Sequence, residues 1–377
     1  MSTPFSQSRA WVEIDLPAID RNVGRIKQAL PRHVRYVAVV KADAYGHGMP
    51  EVARRLLQAG VDAFAVANVA EAIRLREVGH EGDTLLLSPT LPDEVARAAE
   101  NGFDLTINSL EEVKAFAAWG SSHGRKVRVH VKVDTGMHRV GVAPRETLSL
   151  IRFMQSFDSV LLEGVYTHFA VADSPEHPAN IEQLRLFNEV LTELAAHSIE
   201  PPLVHAANSA AALANPDSRF SMVRLGIAMY GLLPGDGVKE LCRGLIPALA
   251  LKSRVSAVRW IEAGEAVSYG LRRPVNAATL IATVPLGYAD GVPRALGETT
   301  VGVLLNGVPR QFAGTITMDQ LMIDCGSDSS VMVGDEVVLI GRQGEHVVTA
   351  DEWANATGTI GYEIVCGISS RIGRRYQ

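Results

Sequence analysis

Short apolar runs alternate with amphipathic helical stretches from about residue 12 to residue 235, and this alternation constrains the fold more than any other feature of the chain. Eight runs are rich in β-branched and aromatic residues and predict strands at residues 34–41, 61–67, 84–88, 103–107, 126–134, 160–168, 202–206 and 222–225. Strands that alternate with helices form parallel sheets, and eight such units favour an N-terminal (β/α)8 barrel of the TIM type. A doubly wound open sheet is the alternative, because strand closure is invisible in a sequence.

Glycines and capping residues indicate where the helices between these strands begin and end. Four glycines each follow a helical stretch, at the position where a left-handed C-terminal cap favours glycine: Gly60, Gly79, Gly102 and Gly120. Ser109 and Glu112 form a capping-box signature for the helix that Gly120 is expected to end.

The pattern changes at the Gly/Pro-rich residues 231–237, after which long helical stretches disappear. Strands are predicted at residues 253–261, 278–284 and 300–305, with a hairpin turn at Asn306-Gly307. Thr349 and Glu352 predict the start of a helix over residues 350–357. A chain of 377 residues is too long for one ordinary core. We therefore predict a barrel domain over residues 1–240 and a mainly β C-terminal domain over residues 241–377.

The composition excludes several classes of function. Hydrophobic residues make up 47% and charged residues 21% of the chain, as in a globular enzyme. A net charge of −6 argues against a nucleic-acid surface, which needs a basic excess. No apolar run has the length of a membrane span or a secretory signal. Three widely spaced cysteines favour free thiols in a reducing cytoplasm, and none lies at metal-ligand spacing from a histidine.

A lysine stands at the end of the first predicted strand. Lys41 follows five mostly β-branched or aromatic residues, and Tyr45-Gly-His-Gly48 cannot continue a strand. The carboxyl ends of strands house the chemistry of barrels and open α/β sheets. A lysine that is partly withdrawn from water there can lose its proton and form a Schiff base with an aldehyde. The position alone is equally consistent with a lysine that extends from a strand end into solvent.

Polar clusters follow four further predicted strands. They are Lys132-Val-Asp-Thr-Gly-Met-His-Arg139 after the fifth, Tyr166-Thr-His168-Phe after the sixth, His205-Ala-Ala-Asn208-Ser209 after the seventh and Arg224-Leu-Gly226-Ile227 after the eighth. Taken alone, His168 is consistent with a hydrogen-bonded structural histidine, Arg139 with a surface arginine and Asn208-Ser209 with a helix N-cap. Their convergence at one mouth of one barrel favours a functional site.

The loops after the last two strands of such barrels commonly bind phosphate through backbone N–H groups and hydroxyls. Ser209 and the Gly226-Ile227 turn match that role, opposite Lys41. A phosphate cradle together with a reactive lysine suggests pyridoxal 5'-phosphate as the cofactor.

Motifs along nearly the whole chain resemble those of the alanine racemase family. They are Val40-Lys-Ala-Asp-Ala-Tyr-Gly-His-Gly48, Lys132-Val-Asp-Thr-Gly-Met-His-Arg139, Tyr166-Thr-His-Phe169, Ala207-Asn-Ser-Ala210, Arg224-Leu-Gly-Ile-Ala-Met-Tyr-Gly231, Val267-Ser-Tyr-Gly270, Leu286-Gly-Tyr-Ala-Asp-Gly291 and Thr317-Met-Asp-Gln320. The first motif is also similar to one in single-barrel proteins that bind the same cofactor, but those lack a β domain. The resemblance implies a racemase that interconverts L- and D-alanine as a head-to-tail homodimer.

The resemblance also implies two catalytic bases. Lys41 would hold the cofactor covalently and act as one base, and Tyr269 from the partner subunit would act as the other on the opposite face of the ring. Arg224 would lie against the pyridine nitrogen and keep it unprotonated, which weakens the electron sink and suppresses transamination. His168 and His205 would connect Tyr269 to Arg224 by hydrogen bonds.

Further roles follow from the same resemblance. The implied cofactor-binding residues, most of them at the phosphate, are Tyr45, His168, Asn208, Ser209, Gly226, Ile227 and Tyr288. Arg139 would reach the phenolic oxygen of the cofactor and the substrate carboxylate, which the backbone N–H of Met318 would also bind. Lys132 would be carbamylated and hold Arg139 in place, while Asp319 would have a supporting role.

Two positions depart from common family residues. Ser370 stands where many members have a tyrosine that contacts the phosphate and borders the substrate entrance, and Thr315 replaces a common arginine of the entrance corridor. A broader-specificity or serine racemase is therefore the nearest alternative function. A non-catalytic carrier of the cofactor is a more distant one, since it would need Lys41 but neither Tyr269 nor Met318.

Overall fold

A computed structural model describes residues 8–61 and 63–377, which divide into two compact units. The barrel unit comprises residues 20–229 and 233–245, and the β unit comprises the described residues up to Ile19, residues 230–232 and residues 246–377. The predicted limits of 1–240 and 241–377 place residues 8–19 with the barrel, whereas in the structure these residues belong to the β unit. As limits of independently folding domains, they stay a prediction.

The barrel unit is built on a sheet of eight parallel strands: Arg35–Val39, Ala63–Val66, Asp83–Pro89, Asp104–Ile107, Val127–Lys132, Val160–Tyr166, Leu203–His205 and Met222–Leu225. The first and eighth strands pair with each other in parallel. The Ser221 N–H donates to the Val204 carbonyl at 3.1 Å and the Arg224 N–H to the Ala207 carbonyl at 3.0 Å, so the seventh and eighth strands also meet. The predicted barrel is confirmed, and the open-sheet alternative is wrong.

Apart from the segment Lys41–Tyr45, the α-helices in the described residues up to 229 are Leu16–Gln28, Met49–Gln58, Val69–Glu77, Val95–Glu100, Leu110–His123, Thr147–Gln155, Pro178–Ala196 and Ser209–Ala214. The capping box of Ser109 and Glu112 is confirmed. Gly60, Gly79 and Gly102 have φ angles of 76°, 91° and 67° just after a helix, which confirms three of the four predicted glycine caps.

The prediction that Gly120 ends its helix is wrong. The helix continues to His123, and Gly124 takes the left-handed cap with a φ of 61°. A Cβ atom on Gly120 would lie 2.7 Å from the Arg125 carbonyl oxygen and 2.9 Å from the Ser159 Cβ. Gly120 is therefore suited to close packing against residues outside the helix and not to a turn.

The β unit contains two sheets. The larger has the strand order Val308–Arg310, Val303–Leu305, Glu336–Gln343, Leu249–Arg254, Ala10–Ile14 and Gly373–Tyr376, with His346–Val348 also paired to Glu336–Gln343. The smaller sheet has the order Ala257–Ile261, Thr279–Val284 and Leu321–Asp324. Helices Ala350–Thr357 and Gly361–Cys366 complete the unit.

Strand Ala10–Ile14 explains why residues 8–19 belong to the β unit. It pairs antiparallel with Leu249–Arg254 on one side and parallel with Gly373–Tyr376 on the other. Its sequence did not lead to a strand prediction, because no turn signal or local partner marks it.

Other predictions for the β unit had mixed outcomes. The single strand expected at residues 253–261 is wrong, because the chain passes from one sheet to the other at Val255-Ser256. There the Val255 N–H donates to the Asp335 carbonyl and the Ser256 N–H to the Thr283 carbonyl. The Asn306-Gly307 hairpin turn is confirmed, with φ angles of 53° and 76°. The helix over residues 350–357 is confirmed with its Thr349 capping box.

Candidate active site

The carboxyl ends of the barrel strands bring the predicted polar clusters to one mouth. Lys132, Tyr166 and His205 are the last residues of the fifth, sixth and seventh strands. Arg224 lies within the eighth strand and Lys41 begins the turn after the first. Since all eight strands are parallel, these ends share one rim of the barrel.

The residues after Lys41 form a left-handed helical turn. Ala42, Asp43, Ala44 and Tyr45 have φ angles between 51° and 55°, a conformation that costs an L-residue about 1–2 kcal/mol. The Ala44 N–H donates to the Val40 carbonyl and the Gly46 N–H to the Ala42 carbonyl, each at 2.9 Å. The segment expected as a loop is therefore a tightly bonded turn, and Lys41 at its start is half-buried.

Arg224 is the centre of a buried hydrogen-bond network. Its guanidinium donates to His205 Nδ1 at 2.7 Å and to His168 Nδ1 at 2.9 Å. It also donates to the carbonyl oxygens of Thr167 and Ala206 at 3.0 and 2.9 Å. Because a guanidinium can only donate, both imidazoles accept at Nδ1 and carry their proton at Nε2.

The charge state of this network follows from burial. Burial, and then the positive charge of Arg224, hold the pKa of His168 and of His205 well below the usual range, so both imidazoles are neutral at physiological pH. Burial lowers the pKa of Arg224 to about 10, which leaves it positively charged at neutral pH. Arg224 is thus a cation that neutral groups hold in place.

His130 extends the network and was not predicted from the sequence. His205 Nε2 lies 3.0 Å from His130 Nδ1, so the Nε2–H of His205 donates to His130. Burial, followed by the charge of Arg128, lowers the pKa of His130 to about 3. The alternation of Arg128, His130 and Lys132 along one strand could have indicated a shared face, since side chains two residues apart point the same way.

Tyr166 also contacts His205. Its ring stacks on the His205 imidazole with a centroid distance of 4.6 Å and an interplanar angle of 9°. Its hydroxyl lies 2.7 Å from Thr106 Oγ1, and the Thr106 hydroxyl also lies 2.7 Å from the Leu86 carbonyl oxygen. The orientation of His205 is therefore set both by hydrogen bonds and by stacking.

The loops after the seventh and eighth strands form a small cradle. Asn208 caps helix Ser209–Ala214 by accepting from the Ala211 N–H at 3.0 Å. Ser209 Oγ accepts from the Gly226 N–H at 2.9 Å. A Cβ atom on Gly226 would lie 2.5 Å from the Tyr45 hydroxyl oxygen, so only glycine lets these groups approach. Hydroxyls and backbone N–H groups around such a space fit a phosphate group, with Ile227 next along the chain.

Lys132 lies at the same rim but is turned inward. It is 4% exposed, and its Nζ donates to the Val140 carbonyl at 2.7 Å. Burial, and then the charges of Arg139 and Arg224, lower the pKa of Lys132 to about 8. A minor fraction of this amine is therefore unprotonated near neutral pH. The Arg139 side chain, whose charge contributes to the lowered pKa of Lys132, is exposed.

The remaining predicted residues lie on one edge of the β unit. The Tyr288 N–H donates to the Thr317 carbonyl and the Ala289 N–H to the Met318 carbonyl, each at 3.0 Å, so these two loops are adjacent. Thr315 Oγ1 donates to the carbonyl of Tyr269 at 2.9 Å and places that residue beside them. The side chains that share this edge are substantially exposed, by 75% for Tyr269, 54% for Met318 and 44% for Tyr288.

Asp319 pairs with Arg371 at 2.9 Å, which brings the exposed Ser370 next to the Met318 loop. The structure thus gathers the predicted site residues into two groups, one at the barrel mouth and one on this edge of the β unit.

The opposite end of the barrel has a cluster of paired charges. Arg128 lies 2.8 Å from Asp83, 2.7 Å from Asp104 and 3.4 Å from Glu163, and Arg35 lies 2.7 Å from Asp83. Burial raises the pKa of Asp104 to about 7. The charge of Arg128 opposes this shift, whereas the neighbouring carboxylates of Asp83 and Glu163 add to it. These residues lie toward the amino-terminal ends of the strands and hold the base of the barrel together.

Two further properties concern the described part of the chain. Residues 8–61 and 63–377 contain no cluster of three or more His, Cys, Asp or Glu side chains placed to hold a metal ion. Within the same ranges, no helix has the length and apolarity needed to cross a membrane.

An eight-stranded β/α barrel unit with a lysine just after its first strand, in a chain that also has a β unit, is typical of a class of two-domain barrel enzymes. Residues 14–234 match the family of the alanine racemase N-terminal domain, and residues 248–376 match that of the C-terminal domain. The chain belongs to the alanine racemase family, whose members are isomerases that interconvert the enantiomers of alanine.

Individual relatives agree over nearly the full length. An alanine racemase from Symbiobacterium thermophilum is 43% identical over 366 residues, which cover 97% of this chain and 96% of the relative. An alanine racemase from Nostoc is 40% identical over 373 residues, which cover 98% and 96%. The crystal structure of alanine racemase from Bacillus anthracis with bound L-Ala-P has a TM-score of 0.92 at 38% identity and covers 100% of this chain and 96% of that chain.

Proposed function

We propose that the chain interconverts L- and D-alanine with pyridoxal 5'-phosphate, using Lys41 of one subunit and Tyr269 of the partner subunit as two bases. The observation that supports this most is the buried Arg224, held between neutral His168 and His205 at the same barrel mouth as Lys41. A cation fixed in this way is suited to a basic ring nitrogen that must stay unprotonated.

The residues at the mouth fit this cofactor. Lys41 would bind it covalently, Arg224 would meet its ring nitrogen, and Tyr45, Ser209, Gly226, Ile227 and Tyr288 would hold its phosphate, with Asn208 also among the cofactor-binding residues. When bound, pyridoxal phosphate withdraws electrons from the substrate α-carbon and so acidifies the α-proton. Arg224 would limit this withdrawal, because a guanidinium with a pKa of about 10 does not donate its proton to the ring at neutral pH.

The substrate carboxylate would be bound by Arg139 and by the backbone N–H of Met318, with Asp319 supporting that loop through Arg371. We further propose that Lys132 is carbamylated and positions Arg139. The pKa of about 8 supports this, because only the neutral amine attacks carbon dioxide, losing a proton as the N–C bond of the carbamate forms. Incubation with 13C-labelled bicarbonate should give a carbamate NMR signal that Lys132→Ala lacks.

Proton movement would require a base on each face of the cofactor. One base removes the α-proton from one enantiomer, and the other base returns a proton on the opposite face to give the other enantiomer. Lys41 and Tyr269 of the partner subunit would exchange these roles for the reverse direction. The exposed position of Tyr269 on its own unit is suited to reaching another subunit.

The proposed assembly is a head-to-tail homodimer that works in the cytoplasm. The exposed edge with Tyr269, Tyr288 and Met318 supports the assembly, since large apolar and aromatic side chains at a surface favour an interface. Cys242, Cys325 and Cys366 form no disulfide with one another, which is suited to a reducing compartment.

The attachment of the cofactor can be tested chemically. Borohydride reduction of the holoenzyme followed by peptide mapping should place the pyridoxyl group on Lys41, and Lys41→Ala should lose racemisation. A label on Lys132 or on any other lysine would overturn the assignment.

The shared site can be tested by complementation. Lys41→Ala and Tyr269→Phe proteins should each be inactive, and unfolding and refolding of their mixture should restore activity. In a mixed dimer one site receives both lesions and the other receives neither. If mixed dimers are present and remain inactive, the two bases come from the same chain.

A broader substrate range is the second candidate function. Ser370 supports it, because a small exposed side chain leaves more space beside the Met318 loop than the tyrosine common in the family. Racemisation assays with alanine, serine and lysine would separate the two candidates.

A further inference from the structure

The strained turn after Lys41 is held by a carboxylate from a neighbouring helix. Glu71, in the first turn of helix Val69–Glu77, accepts from the Ala42 N–H with Oε1 and from the Ala67 N–H with Oε2, each at 2.8 Å. Ala67 directly follows the second barrel strand, Ala63–Val66. One side chain therefore ties together the ends of the first two barrel strands.

The hydrogen bond to Ala42 acts on Lys41 through the peptide group that they share. Fixing the N–H of this planar group fixes the backbone angle ψ of Lys41, which sets the direction of its side chain. Ala42 is also the first of four residues in a conformation that L-residues rarely adopt. Such a turn persists only where surrounding contacts determine it. Glu71 provides a contact of this kind at the first residue of the turn.

Glu71 is itself held in place. Its N–H donates to Asn68 Oδ1 at 3.0 Å, and its carboxylate lies at a helix N-terminus, where negative charge is favourable. The same helix contacts the turn a second time through Arg74, which donates to Asp43 Oδ1 at 3.1 Å. That oxygen also accepts from the Met49 N–H at 3.0 Å, which links the turn to the next helix.

We propose that Glu71 is a positioning residue for racemisation: it holds the turn after Lys41 so that the Lys41 amine faces the cofactor and the substrate. This inference rests on the proposed catalytic role of Lys41. It adds a residue that touches neither cofactor nor substrate and acts through the backbone.

The first test compares two glutamates of one helix. Glu71→Ala should lower kcat about 10- to 100-fold and change KM little, because misplacing a reacting group by about 1 Å costs about this much while the binding groups are untouched. Glu71→Gln should lower kcat less, since its amide keeps one acceptor oxygen. Glu77→Ala is the matched control, because Glu77 is exposed at the other end of the helix. An equal effect of Glu77→Ala would overturn the proposal.

A second substitution separates positioning of the turn from capping of the helix. Glycine adopts positive φ angles without a steric penalty, and the Ala42 side chain is exposed, so Ala42→Gly relieves strain without removing packing. In the Glu71→Ala background this change should recover kcat at least about fivefold, measured against Ala42→Gly alone. If Glu71 only caps its own helix, the double variant recovers nothing.

A third measurement needs no cofactor. In the apoprotein, Glu71→Ala should speed amide hydrogen exchange at Ala42 and Ala67, whereas Glu77→Ala should not. If the Lys41→Ala variant retains racemase activity, the proposed function is refuted. An inactive Lys41→Ala together with unchanged kcat and exchange in Glu71→Ala refutes the positioning role alone. Glu71→Gln, with and without Ala42→Gly, provides the same comparison if Glu71→Ala does not fold.

Discussion

Cationic side chains have different partners at the two ends of the barrel. At the amino-terminal end, Arg128 and Arg35 lie beside the carboxylates of Asp83, Asp104 and Glu163. At the carboxyl end, by contrast, Arg224 donates to two neutral imidazoles and two carbonyl oxygens, and Lys132 donates to a carbonyl oxygen. The pKa of His168 is lowered first by burial and then by four cations, Arg224, Arg139, Lys132 and Lys41.

This difference separates stability from function. Opposite charges at the base neutralise one another, so their main effect is on folding. At the mouth, positive charge is held by neutral groups in a partly buried space, where its attraction for an anion is stronger than in water. One strand face contributes to both ends, because Arg128, His130 and Lys132 are spaced by two residues.

The largest expected effect comes from reversing the charge at the mouth. Arg224→Glu should lower kcat about 10²- to 10³-fold, because it removes the fixed cation that we propose meets the ring nitrogen of the cofactor. A protonated ring nitrogen should also increase transamination, measured as pyruvate formed from alanine. Arg224→Lys is the control, because it keeps the charge but loses the forked geometry. An Arg224→Glu enzyme with native rate and native side products would show that the charge at the mouth does not govern the reaction.

The matching change at the base should affect folding instead. Arg128→Leu removes the cation that Asp83, Asp104 and Glu163 share. We expect the free energy of unfolding to fall by about 2–4 kcal/mol, at the lower side of the usual range since Arg128 is partly exposed. Denaturant unfolding measures this change, and kcat at 25 °C should be unaffected. A loss of kcat with unchanged stability would contradict the division between the two ends.

The stability contributed by the charged cluster at the amino-terminal end of the barrel should also depend on pH. Because the pKa of Asp104 is raised to about 7 in the folded state, its stabilising contribution is present below its unfolded pKa of about 4 and is lost as pH rises through about 7. The free energy of unfolding should therefore fall between pH 5 and pH 8 by on the order of 2 kcal/mol relative to Asp104→Asn. Parallel curves for the two proteins would mean that Asp104 is ionised throughout this range.

His130 lies between the two ends of the barrel, and we expect its substitution to lower kcat less than that of Arg224. His130→Leu removes the acceptor for the Nε2–H of His205, which can then shift its proton to Nδ1 and oppose Arg224. We expect kcat to fall about 10-fold with a changed pH profile. His130→Asn should retain most activity, because its Oδ1 replaces the accepting nitrogen. Equal losses in the two variants would point to packing and not to the hydrogen bond.

The smallest effect is expected at the edge of the β unit. Ser370→Tyr should reduce the ratio of kcat/KM for serine to that for alanine by a few-fold, since a ring beside the Met318 loop narrows the space for larger substrates. Thr315→Arg provides a comparison at the same edge. An unchanged ratio in Ser370→Tyr would mean that this residue does not set specificity.

Local patterns predicted the parts of the fold that local physics determines. The eight barrel strands, the Asn306-Gly307 hairpin and the Thr349 cap depend on hydrophobic period and turn chemistry over a few residues. Strand Ala10–Ile14 and the break at Val255-Ser256 depend on partners far along the chain, so no window of sequence shows them.

The candidate site divides in the same way. The polar residues at strand ends could be found because parallel strands bring their ends together. The left-handed turn after Lys41 could not be predicted, because four non-glycine residues with positive φ contradict local preference and depend on Glu71 from another helix. His130 likewise gains its role only from its distance to His205 across the barrel.

The position of strand Ala10–Ile14 has a consequence for synthesis of the protein. This strand is translated before the barrel strands, whereas its register partners from Gly373 to Tyr376 are translated after them. The eight barrel strands are all translated in the interval, so the barrel can form while the first strand still has unpaired backbone groups on both edges. An unpaired strand is a template for association with other chains. We therefore expect residues 10–14 of a nascent chain to need protection until Leu249–Arg254 and Gly373–Tyr376 have been translated.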